Sequence, residues 1–285
     1  MQSKIFSANK TLNVGGRLVD LSVPKVMGVL NVTPDSFYDG KRYADEKSAL
    51  DHAEKMLTEG ADFIDVGGYS TRPGATAISV EEELNRVLPV IRAVVRKFPN
   101  AVVSIDTFRA TIAKQAVDAG ATMINDVSGG SLDDQMFSTV ASLKVPYVLM
   151  HMRGDPQTMT RETQYDHLVK DITDFFHTKL FLLHGLGVKD VIVDPGFGFA
   201  KTVEQNFELL RKLDHFQLLE KPILAGLSRK SMIWRTLETT PENALNGTTT
   251  LNTIALQKGA SILRVHDVRE AKECIRLTQK YKGMT

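Results

Sequence analysis

Two hydrophobic rhythms alternate along the chain. Short runs of aliphatic and β-branched residues end in polar side chains, and longer stretches between them repeat their apolar residues every three or four positions. The short runs predict strands at VMGVL (26–30), FIDV (63–66), VVSI (102–105), MIND (123–126), YVLM (147–150), VIVD (191–194), ILAG (223–226) and ILRV (262–265). The longer stretches predict helices near 48–59, 80–98, 109–119, 133–144, 165–185, 203–216, 241–258 and 269–281. Between 80 and 98, Leu84, Val87, Leu88, Ile91 and Val95 form one apolar stripe. Ser79 with Glu82, and Thr202 with Gln205, have the spacing of capping boxes. Pro241 after Thr240 reads as a first-turn proline, and Gly60 and Gly120 stand where helices should stop.

Strands alternating with helices pair in parallel through right-handed crossovers. Eight such units predict an α/β fold, a closed (β/α)8 TIM barrel, with a doubly wound open sheet as the competing architecture. Residues 1–24 alternate apolar and polar positions around Gly15-Gly16, which predicts a β-hairpin ahead of the barrel. No linker or shift in composition divides the chain, so 1–285 reads as a single domain, hairpin 1–24 and barrel 25–285. The longest non-helical connections, 33–47, 69–79 and 153–164, are candidate lids.

The 285 residues suit one barrel, and 24% charged with 42% hydrophobic residues indicates a globular chain. A formal net charge of +1 lacks the basic excess that nucleic-acid binding calls for. Cys274 is the single cysteine, which excludes an internal disulfide and a zinc cluster and predicts a packed thiol in the last helix. The start of the chain lacks a basic stretch followed by an apolar run, and no apolar run approaches the ~18 residues a membrane span needs. A reducing cytoplasm is the expected compartment.

Active sites of such barrels lie at the C-terminal ends of the strands. There the sequence places Asn31, Asp65, Asp106, Asn125 with Asp126, His151, Asp194, Ser228-Arg229-Lys230, and Arg264 with His266. Burying such groups without partners costs roughly 1–3 kcal/mol each, so a rim this polar is expected to hold a polar ligand. Arg264 and His266 share a face, as do Ser104 and Asp106; Asn125 and Asp126 point opposite ways, and periodicity leaves open which of them faces inward. Plainer roles exist for individual members. A lone Asp can cap a turn, His151 can be a satisfied core histidine, and Lys230 can be a solvated residue starting a helix. They account poorly for so dense a set on one rim. Phosphate-loop, zinc-protease and nucleophile-elbow motifs are missing, and GFGF (196–199) lacks the spacing of a dinucleotide fingerprint.

Several segments taken together resemble the dihydropteroate synthases: MGVLNVTPDSF (27–37), DVGGYSTRPGA (65–75), INDV (124–127), LMHM (149–152), DPGFGF (194–199), SRKSM (228–232) and RVHDV (264–268). The likeness runs from about residue 25 to the end, in family order. Two departures stand out. Tyr69 occupies the position of a frequent Glu in GGESTRPG, and Ala200 that of a Gly that often follows GFGF.

The resemblance implies an enzyme that condenses 6-hydroxymethyl-7,8-dihydropterin pyrophosphate with p-aminobenzoate to give 7,8-dihydropteroate and pyrophosphate. It implies that Asp194 grips the N–H edge of the pterin, Asp106 and Asn125 complete its hydrogen bonds, and Lys230 donates to its acceptor side. Arg264 would lie over the ring or reach the pyrophosphate, with Asn31 and His266 at the pyrophosphate end and Asn31 a ligand of Mg2+. Phe37, Thr71, Arg72 and Pro73 would form the p-aminobenzoate pocket on closing loops. A homodimer joined through the last helices is also implied. The rivals are a methyltetrahydrofolate methyltransferase, which has no pyrophosphate to hold, a catalytically silent pterin-binding paralogue, and a sugar-phosphate barrel, whose Gly-rich phosphate loops after strands seven and eight are missing here.

Overall fold

The structure is a computed structural model that describes residues 11–32, 42–71 and 76–283, the side chains of 42–45 excepted. Strands β1 (Thr11–Val14) and β2 (Arg17–Asp20) form an antiparallel hairpin. Gly15 and Gly16 both take positive φ (59° and 87°), the conformation a two-residue hairpin turn demands. Eight parallel strands follow: β3 (Lys25–Asn31), β4 (Phe63–Gly67), β5 (Val102–Asp106), β6 (Met123–Asp126), β7 (Tyr147–Met150), β8 (Val191–Asp194), β9 (Leu224–Ala225) and β10 (Ile262–Val265). They pair in the order β8-β7-β6-β5-β4-β3-β10-β9, and a parallel bridge between Val193 and Ile223 brings the two ends of the sheet together in a nearly closed barrel.

The helices are α1 (Arg42–Thr58), α2 (Val80–Lys97), α3 (Ala110–Asp118), α4 (Met136–Leu143), α5 (Leu168–Gly185), α6 (Val203–Arg211), α7 (Ser231–Thr236), α8 (Leu245–Gln257) and α9 (Val268–Tyr281). Most follow the periodicity, but α1 begins at Arg42, six residues before the expected 48 and within the connection read over 33–47, and four further differences stand out. The stretch 203–216 ends as α6 at Arg211 and continues as a 3-10 helix over Leu213–Leu219. Pro241 sits in a turn closed by the Asn243 and Ala244 N–H groups, and α8 starts only at Leu245. The short α7 has too few residues to show a period. The fourth concerns a cap. Thr202 and Gln205 form the reciprocal box, whereas Ser79 accepts from the Glu82 N–H while the Glu82 carboxylate turns to Arg86.

The two faces of each strand have different fates. Outward residues such as Val26, Ile64, Val103, Ile124, Leu149, Val193 and Leu263 pack under the helices in the main core. Inward residues at the strand starts (Met27, Phe63, Met123, Val148, Ile192, Leu224 and Ile262) meet Leu12, Val14 and Leu21 of the hairpin region in a second cluster. The hairpin thereby closes the N-terminal end of the barrel with an apolar floor. Each large aliphatic or aromatic side chain buried there contributes about 1.5–3 kcal/mol. Cys274 is buried and unpaired in α9.

Candidate active site

Two residues above the apolar floor, the inward positions turn polar: Asp65, Ser104, Asn125, Asp194 and Arg264. Asn31, Asp106 and His266 stand a further step up on their own strands. Among the described residues, the polar groups inside the barrel therefore lie at its C-terminal end, where several strands deliver them.

Arg264 is the common neighbour. Its Nε donates to Oδ2 of Asp65 (2.7 Å) and its Nη2 to Oδ2 of Asp106 (2.6 Å). The same Asp65 oxygen accepts from Nδ2 of Asn125 at 2.8 Å. Asp65 is fully buried, so one carboxylate orients both the guanidinium and the amide. Its Oδ1 and the hydroxyl of Ser104, neighbours in the β4–β5 register, are buried without a partner among the described residues. Burial works against the charge of Arg264, but Asp65 and Asp106 more than offset it and hold the guanidinium above its ordinary range. Burial, with the nearby Asp65, Glu83 and Asp126, lifts Asp106 to about 7 despite Arg264. Asn31 converges on the same spot: a Cβ at Gly67 would lie 3.5 Å from Asn31 Oδ1 and 3.6 Å from Asp106 Oδ2.

The loop after β8 shapes the other side. Asp194 accepts from the Gly196 N–H at 2.8 Å, and burial raises its carboxyl while Gly196, Lys230, Arg264 and Lys201 pull it back. Lys230, at the N-cap of α7, lays its ammonium over the Phe199 ring, 4.2 Å from the centroid. Burial and Arg264 push its amine down to about 8, with Asp194 and Asp106 opposing. A Cβ at Gly198, whose φ is 79°, would stand 2.9 Å from Lys230 Cδ, so the second glycine of GFGF is what lets the lysine pass.

At the ends of β9 and β10, Ser228 Oγ lies 3.0 Å from His266 Nδ1, and Arg229 holds Asp267 through Nε (3.1 Å) and Nη2 (2.7 Å). Burial, with Arg264, Arg229 and Lys230, brings His266 down to about 4, so its imidazole is neutral.

Asn31, Asp106, Asn125, Asp194, Lys230, Arg264 and His266 thus come together. Thr71 is half-buried at the edge of the described residues; Phe37, Arg72 and Pro73, with 33–41 and 72–75 of the candidate lids, lie outside them. Asn125 faces inward and Asp126 outward, where Ser128, Gly130 and Tyr147 satisfy it. His151 takes its plainer role, buried against Lys201 Nζ at 3.1 Å. Lys201 itself was not singled out from the sequence. It donates to the carbonyls of Gly196 and Phe199, both at 3.0 Å, and so ties down the loop that carries Asp194. Asp65 as a hub was also missed, its signal being only an inward position on β4. Of the two departures, Tyr69 packs edge-on against Phe108 with Arg109 over its ring. Ala200 has φ 50°, a left-handed conformation that explains the family's frequent glycine.

Acceptors, donors and two desolvated cations gathered at one end of the barrel suit a flat polar heterocycle carrying a negatively charged tail. The comparisons agree. A family model described as pterin binding enzyme matches residues 27–266. The dihydropteroate synthase of Synechocystis sp. is 45% identical over 246 residues, 85% of each chain. That of Escherichia coli (strain K12) is 41% identical over 266 residues, 93% of this chain and 94% of the relative. The Xanthomonas albilineans dihydropteroate synthase with 4-aminobenzoic acid superposes with a TM-score of 0.90 at 40% identity, covering 97% of this chain and 99% of that one. The same enzyme in complex with 7,8-dihydropteroate gives 0.87 at 37%, covering 96% and 100%.

Proposed function

The chain belongs to the dihydropteroate synthases of the pterin-binding enzyme family, and from that premise we propose how its residues do the work. It joins 6-hydroxymethyl-7,8-dihydropterin pyrophosphate to p-aminobenzoate, forming 7,8-dihydropteroate and releasing pyrophosphate. The convergence of Asp106, Asp194, Lys230 and His266 within the electrostatic reach of Arg264 carries the assignment of roles.

Asp194 accepts from the adjacent N–H groups of the pterin, with its second oxygen towards the open space at Gly226. Asp106 and Asn125 complete the heterocycle's bonds, and Lys230 donates to its acceptor edge. Charge-assisted bonds of this kind are roughly twice as strong as neutral ones. A look-alike ring would leave buried groups unpaired, which is how the site discriminates. Asp65 and Asp106 engage Nε and Nη2 of Arg264, so Nη1 and the flat guanidinium face serve the ligand.

His266, Arg264 and Asn31 form the pyrophosphate end. Asn31 suits Mg2+ there: its amide oxygen is a hard donor with no hydrogen bond from a described residue, beside the Asp106 carboxylate. Mg2+ held there would supply charge neutralisation for the leaving pyrophosphate. The C–O bond breaks first, leaving a cation at the pterin methylene that the ring stabilises. The p-aminobenzoate amine then attacks and sheds its proton. A protein nucleophile is unnecessary, because positioning and fixed dipoles supply the catalysis. Thr71 with Phe37, Arg72 and Pro73 forms the p-aminobenzoate pocket on loops that close and exclude water.

A homodimer in the cytoplasm is the expected form. Leu277 and Tyr281, 72% and 79% exposed on α9, support contact through the last helices. No described helix is long and apolar enough to cross a membrane.

The direct test mixes purified protein, Mg2+, the pterin pyrophosphate and p-aminobenzoate, and follows dihydropteroate by mass. Pyrophosphate release that is equal with and without p-aminobenzoate, yielding mostly hydroxymethylpterin, would contradict the closing-loop part of the mechanism.

A further inference from the structure

The contacts between Ser228 and His266 bear on which hydrogen the site offers to a pyrophosphate. Ser228, 5% exposed, follows β9, and His266 follows β10. The backbone N–H of His266 donates to Ser228 Oγ at 3.2 Å, and the same oxygen lies 3.0 Å from Nδ1 of the imidazole. Among the described residues the hydroxyl makes no other hydrogen bond. A serine hydroxyl has one proton to give and two lone pairs to receive.

If Nδ1 carried hydrogen, the oxygen would accept twice and its own proton would be buried without an acceptor, a disfavoured arrangement. If Nδ1 is bare, every hydrogen is used: the backbone N–H enters the oxygen, and the hydroxyl proton enters Nδ1. We infer that Ser228 is a positioning residue that locks His266 in the tautomer bearing hydrogen on Nε2, so that a neutral ring turns a donor, not a lone pair, to the pyrophosphate. The hydrogen on one ring nitrogen is set by the partner of the other.

The surroundings agree. The cations Arg264, Arg229 and Lys230 lie around the imidazole and disfavour a second proton. Asp267, which opposes them, is itself engaged by both Nε and Nη2 of Arg229. The two contacts, Ser228 to His266 and Arg229 to Asp267, also fasten the loop after β9 to the loop after β10. The inference rests on His266 serving the pyrophosphate, as assigned above, and its test keeps the two apart.

Protein labelled with 15N-histidine, its His266 signals identified by their loss in His266→Gln, should show the Nε2–H tautomer at about pH 7 in the free enzyme. An Nδ1–H form or an imidazolium in the unmodified protein overturns the inference, whatever the variants do. Ser228→Ala should lose the single-tautomer signature and raise KM for the pterin pyrophosphate about tenfold, with dihydropteroate affinity changed by less than about twofold. Ser228→Thr, which keeps a hydroxyl, should restore the signature. An alanine variant with unchanged tautomer and KM, or one that loses product and substrate affinity equally, refutes a positioning role. His266→Gln probes the underlying assignment: equal loss of dihydropteroate and pyrophosphate-substrate affinity removes His266 from the pyrophosphate end even where the tautomer is as described.

Discussion

Arg264 and Asp106 stand 158 positions apart in the sequence and are joined by a 2.6 Å hydrogen bond from Nη2 to Oδ2. Together with the Asp65 contact, this bond sets the angle of the guanidinium over the barrel mouth. One cation neutralises two carboxylates that would otherwise repel each other in a desolvated space.

Replacing the cation should therefore damage both folding and turnover. Arg264→Ala leaves the buried Asp65 and the partly buried Asp106 uncompensated and should lower stability by about 3–5 kcal/mol in denaturant titration. Arg264→Lys keeps the charge but not the fork, and should restore most of the stability while leaving kcat/KM depressed by about a hundredfold. A lysine variant with full activity would show that the planar fork is dispensable.

The free enzyme should have a narrow pH optimum. Asp106 accepts as a carboxylate, and its group is lifted to about 7, so kcat/KM for the pterin substrate should climb as pH rises through that value. Lys230 donates as an ammonium, and its group is lowered to about 8, so kcat/KM should fall as pH passes it. Lys230→Arg keeps its charge and should lose the alkaline limb. Pyrophosphate release measured across pH gives the profile, and a flat plateau between about 6 and 9 would contradict it.

Gly198 sets the place of Lys230. Gly198→Ala meets a positive φ and a 2.9 Å approach to Lys230 Cδ, so the lysine must move. Pterin affinity measured by calorimetry should drop about tenfold, and stability should fall by about 1–2 kcal/mol.

Buried Lys201 links stability to pH. Its amine is pushed from 10.5 down to about 7 by burial, so above 7 the unfolded chain holds a proton that the native state lacks. Native stability from this group therefore rises with pH between about 7 and 10.5, by up to about 1.4 kcal/mol per unit. Lys201→Met lacks that slope, and its unpaired Gly196 and Phe199 carbonyls should cost about 1–3 kcal/mol. Chemical denaturation at several pH values should show the gap to the unmodified protein widening as pH rises. A gap that narrows would reverse the assigned protonation.

The sequence alone determined the alternation of strand and helix, the hairpin turn at Gly15-Gly16, and the sharing of a face by Arg264 with His266 and by Ser104 with Asp106. These are local properties, fixed by a two-residue or near-four-residue repeat and by glycine's access to positive φ. The tertiary structure decided that Asn125 turns inward and Asp126 outward, because Tyr147, Ser128 and Gly130 supply the outward carboxylate with donors while Asp65 claims the inward amide. It reduced β9 to two residues, inserted α7, and gave Lys201 and Asp65 their parts. Asp65 and Arg264 are 199 positions apart, and no repeat along the chain relates them. Only the parallel pairing of β10, the last strand, with β3, the first strand of the barrel, brings the β4 carboxylate against the β10 guanidinium.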